Sequence, residues 1–187
     1  MRRTYRTPQS LPPRASINEV FLRRLVFATI VAELKFVKKC RTIGSKRDKM
    51  SENIIKTSRA PEPVGAYPHA RKAGGFLFLS GVGPRKPGTK IIPGVELDSS
   101  GDILSYDVEA QTVSVIENVK IILEDSGSSF DKIIDVQVFL TNMKNDFKKY
   151  NEVYARYFKD IQATRTTVEV GALPTPIAVE FKVIALP

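Results

Sequence analysis

The sequence predicts an α+β domain, a mixed sheet with two helices on one face. Two segments, Tyr106–Asp125 and Asp146–Phe158, repeat apolar or aromatic residues at helical spacing. The runs around them alternate as strands do, so the element order reads β-β-α-β-α-β-β. The strands have one apolar face. The other mixes apolar residues with Asp135, Gln137, Arg165, Glu169, Glu180 and Lys182. An uncovered face of that composition favours burial against another subunit, so a homo-oligomer is expected.

Ile54–Thr57 reads as a short first strand, ended by Pro61-Glu62-Pro63. Val64–Ala70 reads as a loop. Phe76–Ser80 is an apolar strand stopped by Gly81. Gly83–Gly101, with three prolines and several glycines, is expected to be a long loop or a broken strand. Ser105 is placed to cap the first helix, Asp107 and Glu109 suit the positive end of its dipole, and Gly127 can terminate it. Val115/Ile116, Val119 and Ile122/Leu123 form its apolar stripe. Lys132–Thr141 is a strand with Ile134, Val136, Val138 and Leu140 on one face. Phe147, Tyr150, Tyr154 and Phe158 stripe the second helix. Two strands close the chain. In the first, Arg165, Thr167 and Glu169 lie opposite Thr166, Val168 and Val170. In the second, Glu180 and Lys182 lie opposite Val179, Phe181 and Val183.

Composition bounds the function. Of 187 residues, the first 50 hold 13 Lys/Arg against 3 Asp/Glu, whereas residues 51–187 hold 16 against 17. The net charge of +9 therefore belongs to an N-terminal extension, and the 51–187 domain lacks the concentrated charge of a nucleic-acid binder. The extension is basic and acid-poor, as a mitochondrial transit peptide is. A functionless extension preceding a start at Met50 reads equally well. A cytoplasmic or mitochondrial location follows, and the apolar run Leu25–Ala32 is too short to span a bilayer. The single cysteine, Cys40, lies in the extension, so the domain has no Cys-based metal site or nucleophile. A lone histidine, His69, excludes multi-His zinc sites and argues against a Ser-His-Asp triad.

The C-terminal strand pair RTTVEVGALPTPIAVEF carries the clearest chemistry. An Arg can grip a planar carboxylate by two parallel hydrogen bonds, and a Glu nearby can activate water. Were Arg165 and Glu180 on the polar faces of neighbouring strands, they would make a site for a small carboxylate substrate.

From Ile54 to Leu186 the chain resembles the Rid family, also called the YjgF or endoribonuclease L-PSP-like family. The resemblance runs through GAYPHAR, FLFLSGVGP, AQTVSVIENVKIILEDSG, IIDVQVFLTNMKNDFKKYNEVYARYF and RTTVEVGALP, in the family's order and spacing. Within the family, GAYPHAR, IPGVELDSSGDILSYD and RTTVEVGALPTPIAVEFKVIA look most like the 2-aminomuconate deaminase branch. The resemblance implies a chorismate-mutase-like protomer and a homotrimer with ligand clefts between subunits. It implies cofactor-free hydrolysis of enamines or imines, with no metal and no nucleic-acid or membrane partner.

Residue by residue, the resemblance implies that Arg165 binds the substrate carboxylate and Glu180 positions or activates water. Tyr67 closes over the ligand. Ser80 and Asn151 stand at further site positions. Many relatives have Cys where this chain has Thr167, which removes thiol chemistry and leaves a hydroxyl able to hydrogen-bond substrate. His69 beside the Tyr67 loop is read as a solvated loop side chain or, less simply, a proton-transfer group. For a dicarboxylate a second cation is useful, and Arg71, Lys72, Arg85 and Lys182 are equal candidates. Rival functions are a broader 2-iminobutanoate/2-iminopropanoate-type deaminase, a non-enzymatic ligand-binding trimer and an RNA-cleaving protein.

Overall fold

The computed structural model describes residues 53–187; the transit-peptide and extension readings of residues 1–50 fall outside the described residues. The elements are β1 (Ile54–Ile55), β2 (Ala70–Ala73), β3 (Phe76–Leu79), β4 (Val95–Leu97), β5 (Ile103–Tyr106), α1 (Val108–Asp125), β6 (Ile133–Leu140), α2 (Met143–Phe158), β7 (Thr164–Glu169) and β8 (Val179–Ala185). Six strands form a mixed sheet of order β1-β2-β3-β8-β6-β7, and β4 and β5 make a separate hairpin. Among the described strands only β6 and β7 pair in parallel, as a crossover through α2 requires. The expected α+β class, with two helices on a mixed sheet, is what the chain forms.

Alternation builds the core. Val136, Val138 and Leu140 of β6 pair in register with Val183, Phe181 and Val179 of β8, and all six are buried. Val115, Ile116, Val119, Ile122 and Leu123 of α1 and Tyr150, Val153, Tyr154 and Phe158 of α2 pack on them. Tyr154 and Phe158 stack with centroids 4.1 Å apart, while Phe147, expected in the same stripe, is 40% exposed. Tyr106 Oη donates to Asp146 Oδ2 at 2.8 Å and ties β5 to α2. Burial, then the Asp146 carboxylate, push that phenol up to about 12.

Turn chemistry corrects several boundaries. Ala70–Ala73 is a strand, joined to β3 by Gly74 and Gly75, whose φ values of 58° and 84° suit a two-residue hairpin turn. The stretch expected to be a loop or broken strand holds β4. Asp98 Oδ1 accepts from the Ser100 and Asp102 amides at 2.8 and 2.9 Å, and this side-chain turn folds β4 back onto β5. Ser105 and Tyr106 therefore lie in β5. The helix cap is Asp107, which accepts from the Glu109 and Ala110 amides at 2.9 and 3.2 Å. Helix α2 begins at Met143, three residues before the expected start, capped by Asn142. A register shift between Ile133 and Asp135 leaves Ile134 only half-buried and puts Ile133 in the core instead.

The largest correction concerns faces. In the β6–β7 register, Arg165 sits opposite Val136, Thr167 opposite Val138 and Glu169 opposite Leu140, so all three lie on the helix-covered side. Glu169 Oε2 accordingly accepts from the Met143 amide at the start of α2. Glu180 and Lys182 sit opposite Phe139 and Gln137 on the open side. Arg165 and Glu180 thus face opposite sides of the sheet, with β6 between their strands. The open face also presents Phe76, Phe78 and Val168, each about two-fifths exposed.

Candidate functional site

The predicted site residues divide into two groups. The first surrounds a cleft of about 370 Å³ on the open side, lined by Tyr67, Ser80, Gly81, Gly83, Arg85, Glu180 and Lys182 with Val64, Pro174, Thr175 and Ile177. Ser80 follows β3 and turns its hydroxyl back, donating to Pro68 O at 2.6 Å, while its amide donates to His69 O at 2.9 Å. Those bonds pin the loop that carries Tyr67, a residue 41% exposed at the cleft. His69 secures the same loop. It is buried, accepts from the Thr57 amide through Nδ1 at 3.3 Å, and its Nε2 lies 3.1 Å from Pro61 O. With Nδ1 accepting, Nε2 carries the proton and donates. The histidine is therefore neither the solvated side chain expected nor aimed into the cleft; it is a loop anchor.

Glu180 is half-buried in the floor of this cleft, and its carboxylate has no hydrogen-bond or ion-pair partner among the described residues. Burial pushes its pKa up. A carboxylate so placed is a stronger base than an exposed one and has its lone pairs free for water. Gly81 makes the room: a Cβ there would lie 2.8 Å from Glu180 Cδ and overlap the carboxylate. Gly81→Ala is expected to lower kcat/KM about tenfold with the melting temperature nearly unchanged, because the obstructed atoms end a side chain that can swing away. Paired assays of turnover and thermal unfolding check this; equal losses in both would mean that Gly81 serves the fold instead.

The second group lies at the β7 edge, against α2. Arg165 Nη1 donates to Asn151 Oδ1 at 2.8 Å and more weakly to Tyr150 Oη at 3.4 Å. Its guanidinium carbon stands 4.5 Å from the Tyr154 ring centroid and 5.7 Å from that of Tyr150. Asn151 and the two rings fix the fork, and the side chain stays exposed at its end. Burial raises both phenols, Tyr154 to about 12, so they remain neutral. Thr167 Oγ1 is buried beside Tyr150 without hydrogen-bond geometry, and it presents no free hydroxyl to the surface.

The sequence reading missed the polar row of α1. Buried Ser114 donates to Pro84 O at 2.7 Å, and buried Asn118 donates to both Gly83 O and Arg85 O at 2.9 Å. Gln111 Oε1 accepts from the Ala178 amide at 2.8 Å. One helix face thus holds both loops that border the cleft. Polar residues at 111, 114 and 118 beside an apolar stripe were the available signal. Among the described residues, no group of three or more His, Cys, Asp or Glu side chains could hold a metal ion, and no helix is long and apolar enough to cross a membrane.

A family model described as Endoribonuclease L-PSP matches residues 57–186. The chain belongs to the Rid, or YjgF, family. Among Rid relatives, a RutC family protein of Pyrococcus horikoshii is 42% identical over 134 residues, which cover 72% of this chain and 97% of that one. Reactive Intermediate Deaminase A, chloroplastic, of Arabidopsis thaliana is 34% identical over 73% of this chain and 66% of its own. The crystal structure of E. coli TdcF with bound serine is 37% identical and superposes with a TM-score of 0.61, covering 72% of this chain and 98% of that one.

Proposed function

We propose that this Rid protein hydrolyses an enamine or imine carboxylate to a 2-oxo acid and ammonia without a cofactor, and that its substrate is 2-aminomuconate, giving 2-oxohex-3-enedioate. The single observation that carries the reading is Glu180: a half-buried, unpartnered carboxylate of raised pKa on the floor of a cleft bordered by Tyr67 and Ser80. The deaminase named among the relatives supports the reaction class. The blocks GAYPHAR and IPGVELDSSGDILSYD support the 2-aminomuconate assignment.

In this mechanism the enamine tautomerises to its imine. Glu180 takes a proton from water as the oxygen attacks the imine carbon. Glu180 hands that proton to the imine nitrogen and then relays the hydroxyl proton of the carbinolamine to the amine in the same way, so the C–N bond breaks and ammonia leaves as the carbonyl forms. Tyr67 closes over the ligand and Ser80 holds the Tyr67 loop. Since imines are already electrophilic, positioning and electrostatics suffice. Arg165 grips the substrate carboxylate, oriented by Asn151. It lies on the opposite sheet face from Glu180 of the same chain, so we assign it to the cleft of a neighbouring subunit in a homotrimer. The exposed edge β7 and the apolar open face are the surfaces such an assembly would cover. The balanced charge of residues 51–187 favours a small carboxylate over RNA, despite the family's description. Residues 1–50 are read as an organelle-directing extension, supported by the chloroplastic relative; a fluorescent fusion of them that stays diffuse in the cytosol would remove that reading.

The test is ammonia release by the purified protein from 2-aminomuconate generated in situ. Acceleration well above the spontaneous rate is expected. An unchanged rate would overturn the proposal, and equal rates on 2-iminopropanoate would replace it with the broader deaminase.

A further inference from the structure

The geometry points to Arg85 as the residue that selects substrates carrying a second carboxylate. The inference rests on the deaminase reading and specifies the substrate class of the same cleft. Four cations were candidates from sequence, and the structure separates them: Arg85 and Lys182 line the Glu180 cleft, whereas Arg71 and Lys72 do not. Lys182 is exposed, a flexible point charge in solvent. Arg85 is half-buried and held in place. Pro84 before it has a restricted φ, and the carbonyls of residues 83, 84 and 85 are all clamped by Ser114 and Asn118, two side chains at least 97% buried.

The guanidinium spends one nitrogen, donating from Nη2 to Glu62 O at 2.6 Å. It forms no salt bridge among the described residues. A half-buried cation with no counter-ion is unfavourable, and the remaining N–H groups offer the planar fork that fits a carboxylate. The cleft also holds Glu180, which repels an anion, so a substrate carboxylate is favoured at the Arg85 end and disfavoured at the base. An imino or enamino dicarboxylate satisfies this arrangement. Its reacting carbon lies near Glu180, one carboxylate is held by Arg165 and the distal one by Arg85. A monocarboxylate leaves Arg85 unpaired.

Binding tests this with two stable 2-oxo acids of the product class, 2-oxoglutarate and 2-oxobutanoate, titrated calorimetrically into the full-length protein. The parent is expected to prefer 2-oxoglutarate by about tenfold or more, a preference that falls to within about twofold in Arg85→Gln and returns only in part in Arg85→Lys. Affinity for 2-oxobutanoate should change little, and thermal unfolding shows whether the variants fold. No preference in the parent, or the same preference in Arg85→Gln, overturns the assignment. Turnover decides the deaminase reading separately, with imino acids made in situ by amino-acid oxidases from L-glutamate and L-leucine. If neither yields ammonia faster than the blank, the reaction fails while the binding preference still judges Arg85.

Discussion

Glu180→Gln is expected to lower kcat/KM by about 10²–10⁴-fold, the range for loss of a general base, while leaving the fold at least as stable as the parent. The two halves come from one cause. Burial without a partner makes the ionised carboxylate unfavourable, which raises its pKa and strengthens it as a base. The folded state therefore binds the proton more tightly than the unfolded chain. Stability is greatest below the ordinary glutamate value and falls as pH rises from there through the raised folded value; above that it stays at the lower level. Gln keeps the shape and removes the charge, so the acid-side slope of stability should flatten. In activity the sign reverses, because the deprotonated form is the base. The kcat/KM profile of the parent should fall on the acid side with a midpoint above about 4.3, the value for an unperturbed Glu, and the Gln variant should lack that limb. A stable variant with near-parent turnover would remove Glu180 from the chemistry; a poorly folded one would mean that its carboxylate supports the structure.

How much of this was legible in the sequence depended on whether an element had an unambiguous apolar face. Strand β8 alternates cleanly, β6 does so from Val136 to Leu140, and α1 and α2 carry stripes, so their existence and most of their burial followed directly, Ile134 and Phe147 excepted. Strands β2, β4 and β5 depend on pairing set by Gly74-Gly75 and by Asp98, local turn chemistry that a search for periodicity passes over. Strand β7 is the instructive case. Alternation correctly put Arg165 opposite Val168, but both its sides are polar or mixed, Thr164 and Thr166 on one and Arg165 and Thr167 on the other. No apolar side told which would meet the helices, and nothing local showed that β6 would separate β7 from β8. The expected Arg–Glu pair on one face failed for that reason. The residue types still marked where to look. Glu180 lies beside Tyr67 and Ser80, and Asn151 holds Arg165. On the proposed reading, each chain carries two half-sites. Arg85 was one of four equivalent cations until the buried side chains of α1 were seen to fix its loop.

Removing the Arg165 guanidinium should produce the second large loss and also report where the site is completed. Arg165→Ala is expected to lower kcat/KM by about 10²-fold or more, since truncating one member of a desolvated charge pair costs about 2–5 kcal/mol. Arg165→Lys should recover little of it, because an ammonium keeps the charge but lacks the fork that Asn151 and the Tyr154 ring orient. Stability should change little, as the side chain is exposed and its bonds lie at a sheet edge. The arrangement of faces then makes a distinctive demand. If Arg165 of one subunit serves Glu180 of its neighbour, Arg165→Ala and Glu180→Gln chains each retain the half-site that the other lacks. Unfolding an equal mixture and refolding it should create interfaces that join an intact Arg165 to an intact Glu180. Random assembly of a cyclic oligomer makes about a quarter of the sites complete, so activity should rise from near zero to roughly that fraction of the parent's. Parent protein refolded alongside calibrates the yield. A mixture that remains as inactive as its components, at a parent-like yield, would place both residues in one subunit's site or exclude Arg165 from the site, and the two-subunit cleft would have to be abandoned.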